Sequence, residues 1–219
     1  MERTVTDDDG TERVAESYIF KVLVVGQAGV GKTSFVKRYC HGNFSNGYKA
    51  TIGVDFASKS IKWSESCQVE LFMHDLAGQE RIRTQIEAYF RETQGAIYVY
   101  DIERNDKDND IEGWKELLDE KCTLRNEPYK PPSILLVNKI DLVDKVDITG
   151  LDELVKSRGF IGAFAISAKT GFGVDDAVKV LITHMLRIQR LSTKNIPAIQ
   201  DMDKIQLSAL KEPSNSWCC

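Results

Sequence analysis

The sequence predicts a doubly wound α/β domain over about residues 18–189. Short apolar runs alternate with segments whose apolar residues recur every three or four positions, and a glycine-rich turn directly follows the first run. Nearly continuous apolar runs suit parallel strands covered on both faces, whereas the three-to-four spacing predicts amphipathic helices. The predicted strands are residues 18–25, 69–73, 96–100, 133–137 and 163–166.

Helices are predicted between and after these strands. One begins at Thr33, directly after the glycine-rich turn, and residues 149–152 (TGLD) resemble a capping box that opens another. Residues 56–61 alternate loosely, which predicts an edge strand. Two longer helical patterns are carried by Ile111, Trp114, Leu117, Leu118 and Cys122, and by Val174, Val178, Leu181, Met185 and Ile188.

The two ends of the chain differ from this pattern. Residues 1–17 are polar and aperiodic, which predicts a flexible N-terminal arm. Residues 191–219 contain Pro197, Pro213 and several serines but no long amphipathic period, which predicts a disordered tether. The predicted domain therefore spans residues 18–190.

Composition narrows the class of protein. With 219 residues, 42% hydrophobic and 28% charged, the chain predicts one soluble globular domain with tails. The net charge of −4 offers no electrostatic attraction for nucleic acid, so no nucleic-acid partner is expected. The acidic N-terminus has no apolar segment typical of a secretory signal. Scattered cysteines without a C-x-x-C pair favour a reducing, cytosolic or cytosol-facing location.

The glycine-rich turn, residues 26–33 (GQAGVGKT), fits the phosphate-binding pattern G-x-x-x-x-G-K-[ST]. A strand, this loop and a helix N-terminus together aim backbone N–H groups and the positive helix end at phosphate. We expect Lys32 to reach the terminal phosphates and Thr33 to place its hydroxyl on Mg²⁺. The candidate nucleotide-binding residues here are Gly29, Val30, Gly31, Lys32, Thr33 and Ser34.

A second motif, residues 75–80 (DLAGQE), follows the predicted strand at 69–73. Asp75 can hold Mg²⁺ through water, the Gly78 amide can touch a γ-phosphate, and Gln79 can orient an attacking water. Between this motif and the phosphate loop, Thr51 is the natural second hydroxyl for Mg²⁺, in a loop that γ-phosphate would order.

A third motif, residues 138–141 (NKID), follows the strand at 133–137. The Asp141 carboxylate can accept from both N1–H and the exocyclic amine of guanine, a donor pair that adenine lacks. Residues 167–169 (SAK), weak alone, follow the last strand as a companion. Together the motifs predict one site for GTP and GDP with Mg²⁺. A P-loop kinase or ATPase remains the competing class, and Asp141 argues against it.

The set GQAGVGKT, ATIGVDF, DLAGQE, NKID and SAK resembles the Ras-like small GTPases, and among them the Rab branch, over about residues 18–190. FKVLVVG, YKATIGVDFA, Trp63 and the DKIQL of the tail look like the Rabs of lysosome-related organelles. The resemblance implies a P-loop GTPase domain with helices on both faces of a six-stranded, mostly parallel sheet whose second strand is antiparallel. It also implies that Phe44 covers guanine and that Ser167, Ala168 and Lys169 support the guanine loop.

The resemblance further implies a slow GTPase switch that recruits effector proteins to an endomembrane and controls vesicle trafficking. Gln79 and Lys32 are its implied catalytic residues. Its implied protein partners are an exchange factor, an activating protein, a prenylation escort protein, a GDP-dissociation inhibitor and effectors. No arginine finger is evident in cis, so turnover is expected to need the activating protein. The implied location is the cytosolic face of a lysosome or lysosome-related organelle, with a soluble cytosolic pool.

Two residues depart from the family pattern. In the aromatic triad that Rabs present to effectors, Phe56 and Tyr89 match, but His74 replaces a tryptophan. Ala28 stands in the phosphate loop where many relatives have Gly or Ser, and its methyl group would slow hydrolysis. These departures motivate an alternative function, a GTP-locked membrane-bound scaffold with negligible hydrolysis.

Cys218 and Cys219 at the chain end resemble the double geranylgeranylation signal of Rabs. From residue 189 onward, four Lys or Arg stand against three acids, so no polybasic patch supplies a second membrane signal. Because one lipid chain anchors only marginally, two prenyl groups are the expected solution. A vicinal thiol pair that binds metal or cycles as a redox pair is the alternative.

Overall fold

A computed structural model describes residues 3–6, 12–47, 49–78, 87–104, 107–125, 127–146 and 151–193. The strands are β1 (Arg3–Thr6), β2 (Glu12–Val25), β3 (Val54–Lys62), β4 (Cys67–Leu76), β5 (Gly95–Asp101), β6 (Thr123–Leu124), β7 (Glu127–Pro128), β8 (Ser133–Asn138) and β9 (Gly162–Ala165). The helices are α1 (Lys32–His41), α2 (Lys107–Lys121), α3 (Leu151–Arg158) and α4 (Val174–Thr193), with single 3-10 turns at Glu87–Phe90 and Ile140–Leu142.

The main sheet has the strand order β3-β4-β2-β5-β8-β9. Only β3, at the edge, runs antiparallel to its neighbour in this row, and the other five strands are parallel. This arrangement confirms the predicted fold class, including the antiparallel strand at residues 56–61. Since the carboxyl ends of parallel strands meet at one edge, the loops after β2, β4, β8 and β9 converge there.

Within the described ranges, two helices cover each face of the sheet. Along β2, Val22 and Val24 face one core while Leu23 and Val25 face the other, as the alternation of a strand requires. On the first face, Phe35 of α1 and Leu181 of α4 are fully buried. On the opposite face, α2 and α3 contribute the buried residues Ile111, Trp114, Leu118 and Val155.

Helix α4 runs the whole depth of the domain. It begins after Gly173, which lies against the carbonyl of Ala165 at the carboxyl end of β9. Near its other end, Arg190 Nη2 lies 2.6 Å from Glu16 Oε2, beside the start of β2. None of the helices in the described part of the chain is both long and apolar enough to cross a bilayer.

Both predicted tails include some regular secondary structure. The predicted N-terminal arm, residues 1–17, contains β1 and the beginning of β2, and β1 pairs antiparallel with the first residues of β2. Thr4, Val5 and Thr6 in β1 are β-branched, which favours extended backbone. At the other end, α4 continues to Thr193, past the expected boundary at residue 190. Residues 194–219 of the predicted tether lie outside the described residues. Residues 149 and 150 of the predicted capping box also lie outside them.

A matched pair of isoleucines measures how much of the stability comes from burial. Ile97 in β5 is 0% exposed, whereas Ile19 in β2 is 61% exposed. We predict that Ile97→Ala lowers the free energy of unfolding by about 2–5 kcal/mol, because it removes buried methyl groups and leaves a cavity. Ile19→Ala should lower it by less than about 1 kcal/mol. Urea denaturation of both variants in one buffer checks this, and equal losses would contradict the assigned core.

Candidate functional site

The phosphate loop, residues 26–33, joins β2 to α1 and depends on glycine at two tight points. Gly26 and Gly31 have φ values of 140° and 99°, a region that other residues rarely adopt. A Cβ on Gly26 would collide with the Val99 carbonyl, and one on Gly31 would collide with the Asn138 side chain. Gly31 also provides no side chain to cap α1, which leaves the first N–H groups of the helix open to an anion.

Lys32 carries a cation buried inside this loop. Lys32 is only 5% exposed, and its Nζ donates to the carbonyls of Gly26 and Gln27 at 2.9 and 2.8 Å. Burial lowers the pKa of Lys32 to about 8, opposed by the charge of Asp75 and assisted by that of Arg104. A bound phosphate would supply the negative charge that such a buried ammonium lacks.

Three oxygen atoms meet beside the loop where Mg²⁺ was expected. Thr33 Oγ1 lies 2.5 Å from Asp75 Oδ2 and 2.8 Å from Thr51 Oγ1. Asp75 Oδ1 is buried and has no hydrogen-bond partner among the described residues. Burial raises the pKa of Asp75 to about 6, although the Thr33 hydrogen bond and Lys32 act in the opposite direction. Hydroxyl and carboxylate oxygens are the ligands that Mg²⁺ prefers, so these residues fit the ion.

The second motif, as far as Gly78, packs directly on the phosphate loop. Gly78 is buried, and a Cβ there would collide with the backbone of Gln27 and Ala28, so the close approach requires glycine. The backbone of this segment is joined to the Thr51 loop, since Ala77 N donates to Gly53 O at 2.9 Å. Gln79 lies outside the described residues, and its catalytic role stays a prediction.

The third motif, residues 138–141 (NKID), is joined to the phosphate loop by one buried side chain. Asn138 is 1% exposed; its Nδ2 donates to Val30 O at 2.9 Å and its Oδ1 accepts from Ala168 N at 3.0 Å. Ser167 Oγ donates to Asp141 Oδ1 at 2.6 Å, and Lys169 Nζ lies 3.6 Å from Asp141 Oδ2. The structure thus brings the NKID and SAK motifs together beside the phosphate loop.

The remaining predicted site residues lie nearby but are less closely tied to each other. Lys139 adopts a left-handed conformation with φ 69°, and its Nζ lies 2.6 Å from Asp101 Oδ2. Ser34 lies in the first turn of α1. Phe44 lies, half-buried, in the loop after α1, and its role in covering a base stays a prediction.

Two arginines that the sequence interpretation did not single out also hold the site loops. Arg38 of α1 donates to the carbonyls of Ala168 and Lys169 at 2.9 and 2.5 Å. Arg104, in the loop after β5, donates from Nη2 to Ala28 O at 2.6 Å. Their acceptors are main-chain carbonyls 76 to 131 positions away, so no local spacing in the sequence could have signalled them.

The aromatic triad forms a cluster of side chains, in which His74 is the chain neighbour of Asp75 in β4. The ring centroids of Phe56 and His74 are 4.8 Å apart, and Tyr89 lies 6.0 and 6.2 Å from them. Phe56 remains 58% exposed. Burial lowers the pKa of His74 to about 4, with a smaller contribution from the charge of Lys21, so the imidazole is neutral at pH 7. His74 therefore occupies the position as a packed, uncharged ring.

Comparison with known proteins agrees with this geometry. The model of the Ras family matches residues 21–187. The chain is 40% identical to the Ras-related protein Rab-32 of Mus musculus over 210 residues, which cover 92% of this chain and 91% of that protein. It is 39% identical to the Ras-related protein Rab-7L1 of Homo sapiens, covering 94% and 98% of the two chains. It is 38% identical to Rab-32A of Dictyostelium discoideum, covering 85% of each.

The family match covers the phosphate loop, Thr51, Asp75 and the NKID and SAK motifs. These are the elements that the structure assembles at one edge of the sheet. The members of this family are GTPases that bind GTP and GDP, typically with Mg²⁺. The chain therefore belongs to the Ras family of small GTPases and is similar over most of its length to Rab-32 and Rab-7L1.

Proposed function

We propose that this GTPase is a Rab-type switch that alternates between GTP and GDP and recruits effectors to an endomembrane to control vesicle trafficking. The observation that carries the proposal is the double hydrogen bond of Asn138, which joins the phosphate loop to the guanine-side loops. Because of this bridge, a cation for phosphates and a carboxylate for a base belong to one rigid site. One guanine nucleotide would span both.

At the base end, the contacts of Asp141 favour guanine. One carboxylate oxygen accepts from Ser167, and Lys169 lies near the other, which keeps the group oriented. A carboxylate so held would accept from the two neighbouring donors of guanine. Adenine would instead place an acceptor opposite it and leave the carboxylate without a donor.

At the phosphate end, Lys32 and the open N–H groups of α1 would hold the terminal phosphates. Thr33, Thr51 and Asp75 would hold Mg²⁺, which would neutralise negative charge on the terminal phosphates. Gln79 would orient the water for in-line attack on the γ-phosphate. The methyl group of Ala28, in the phosphate loop, would crowd the transition state and slow the intrinsic reaction.

The nucleotide-sensing residues are continuous with the exposed aromatic cluster. Asp75 is the neighbour of His74 in β4, and Phe56 pairs with His74 across the β3–β4 ladder. Thr51 precedes β3 by only a few residues. Ordering of Thr51 and Asp75 by GTP would therefore set the surface formed by Phe56, His74 and Tyr89, which is the proposed effector surface.

The membrane side of the proposal comes from the tail and the relatives. The similarity to Rab-32 and Rab-7L1 favours endomembrane association, and the finer motifs favour a lysosome or lysosome-related organelle, with a soluble cytosolic pool. Two prenyl groups on Cys218 and Cys219 would anchor the chain, through an escort protein and a GDP-dissociation inhibitor. An exchange factor and an activating protein would drive the cycle.

Asp141→Ala tests base recognition. It should weaken GDP binding by about 10²- to 10⁴-fold, because two hydrogen bonds to a charged acceptor are lost. Asp144→Ala is the matched control, since Asp144 is an exposed carboxylate three residues later. Calorimetry with GDP and ADP provides the measurement. If the unaltered protein binds ADP as tightly as GDP, the assignment of guanine is wrong.

Gln79→Leu tests hydrolysis against the scaffold alternative. We predict a loss of about 10²-fold in single-turnover GTP hydrolysis, because the attacking water is no longer oriented. Gln68→Leu, at an exposed position of β4, should leave the rate unchanged. An unchanged rate in Gln79→Leu removes Gln79 from the mechanism. No hydrolysis by the unaltered protein, even with a cell extract, would favour the GTP-locked scaffold.

The double variant Cys218→Ser, Cys219→Ser tests anchoring. It should move the protein from the membrane fraction to the soluble fraction of cells, because both sites of lipid attachment are removed. Cys40→Ser, which changes a thiol within the domain, is the control and should partition as the unaltered protein does. Membrane partition that survives the double substitution would rule out this anchor.

A further inference from the structure

The backbone around Arg104 is fixed at several points, so its side chain leaves from a defined position. Arg104 N donates to Asp101 O at 3.0 Å, and the Tyr100 hydroxyl donates to Arg104 O. The Asp101 carboxylate also accepts from Glu103 N at 3.2 Å. These bonds fix the conformation of the loop after β5.

From this loop the guanidinium of Arg104 reaches the phosphate loop. Its Nη2 donates to Ala28 O at 2.6 Å, and a Cβ built on Gly29 would lie 3.7 Å from the same nitrogen. A hydrogen bond from a cation is shorter and stronger than one between neutral groups. The Ala28–Gly29 peptide is therefore held by a charged donor.

The carbonyl of Ala28 and the N–H of Gly29 belong to the same peptide unit. That peptide is planar and trans, so its carbonyl and its N–H point in opposite directions. With the carbonyl directed at Arg104, the N–H of Gly29 points away from Arg104. A charged donor on the carbonyl also polarises the peptide and makes its N–H a better donor.

We propose that Arg104 is a positioning residue for the phosphate site, acting through the Ala28–Gly29 peptide to aim and strengthen the Gly29 N–H toward bound phosphate. The inference rests on the proposed nucleotide function and adds to it a residue outside the recognised motifs. Arg104 contacts the loop rather than the reacting atoms. Its contribution to hydrolysis is thus indirect, and the need for an activating protein stands.

Arg104→Gln and Arg104→Lys separate this role from simple support of the loop. In Arg104→Gln the amide proton resonance of Gly29 should move upfield in the Mg²⁺–GDP complex, while that of Gly31 stays in place. GTP should dissociate about tenfold faster and be hydrolysed about tenfold more slowly in single turnover, since one phosphate donor is misaligned. Arg104→Lys should recover part of each effect, because an ammonium still offers a charged donor.

Arg158→Gln is the matched control. Arg158 Nη1 lies 2.5 Å from Glu112 Oε1, in an ion pair between α3 and α2 away from the phosphate loop, and its loss should change none of these readouts. The inference is overturned if Arg104→Gln leaves the Gly29 resonance and both GTP rates unchanged. It is also overturned if Gly29 and Gly31 shift together with a lower melting temperature, which indicates general loosening. If the unaltered protein binds no guanine nucleotide, the proposed function fails as well.

Discussion

The carboxamide of Asn138 joins three segments that are far apart in the chain. It donates to Val30 in the phosphate loop and accepts from Ala168 in the last loop, while Asn138 itself ends β8. Because the group is buried, removing it would leave a carbonyl and an N–H without partners, and each such loss costs about 1–3 kcal/mol. The spacing between the phosphate end and the base end of the site therefore depends on this one side chain.

The loops of the site share a second physical feature, which is that cations hold their carbonyls. Lys32 donates to Gly26 and Gln27, and Arg104 donates to Ala28. Arg38 does the same for Ala168 and Lys169 at the base end. Loops outside helices and sheets cannot pair their carbonyls regularly, and a charged donor satisfies them strongly. The opposite N–H groups then remain available to an anionic ligand.

The parts of the fold that the sequence predicted well were those governed by local pattern. Buried runs such as residues 133–137 have one stable use in a parallel sheet, and the motifs at their ends had to meet at its carboxyl edge. The strand at Arg3–Thr6 was missed because only a few β-branched residues mark it. Arg38 and Arg104 were missed for another reason, since a contact with a distant main-chain carbonyl leaves no trace in spacing.

The aromatic triad falls between these two cases. Its residues were identified through resemblance, and the structure places Phe56, His74 and Tyr89 in mutual contact. What the sequence could not supply was the state of His74, because its charge depends on how far the fold buries it. The packed ring is neutral at pH 7, so the surface keeps the apolar character of a cluster of rings.

Helix α4 connects two opposite ends of the domain. It starts beside the base-binding loops and extends for 20 residues, about 30 Å, to the ion pair of Arg190 with Glu16. Thr193, the last residue of α4, lies at the pole of the domain opposite the phosphate loop. Force applied to the chain at Thr193 would therefore enter the domain at the end of α4 and the beginnings of the strands, not directly at the loops on their carboxyl ends.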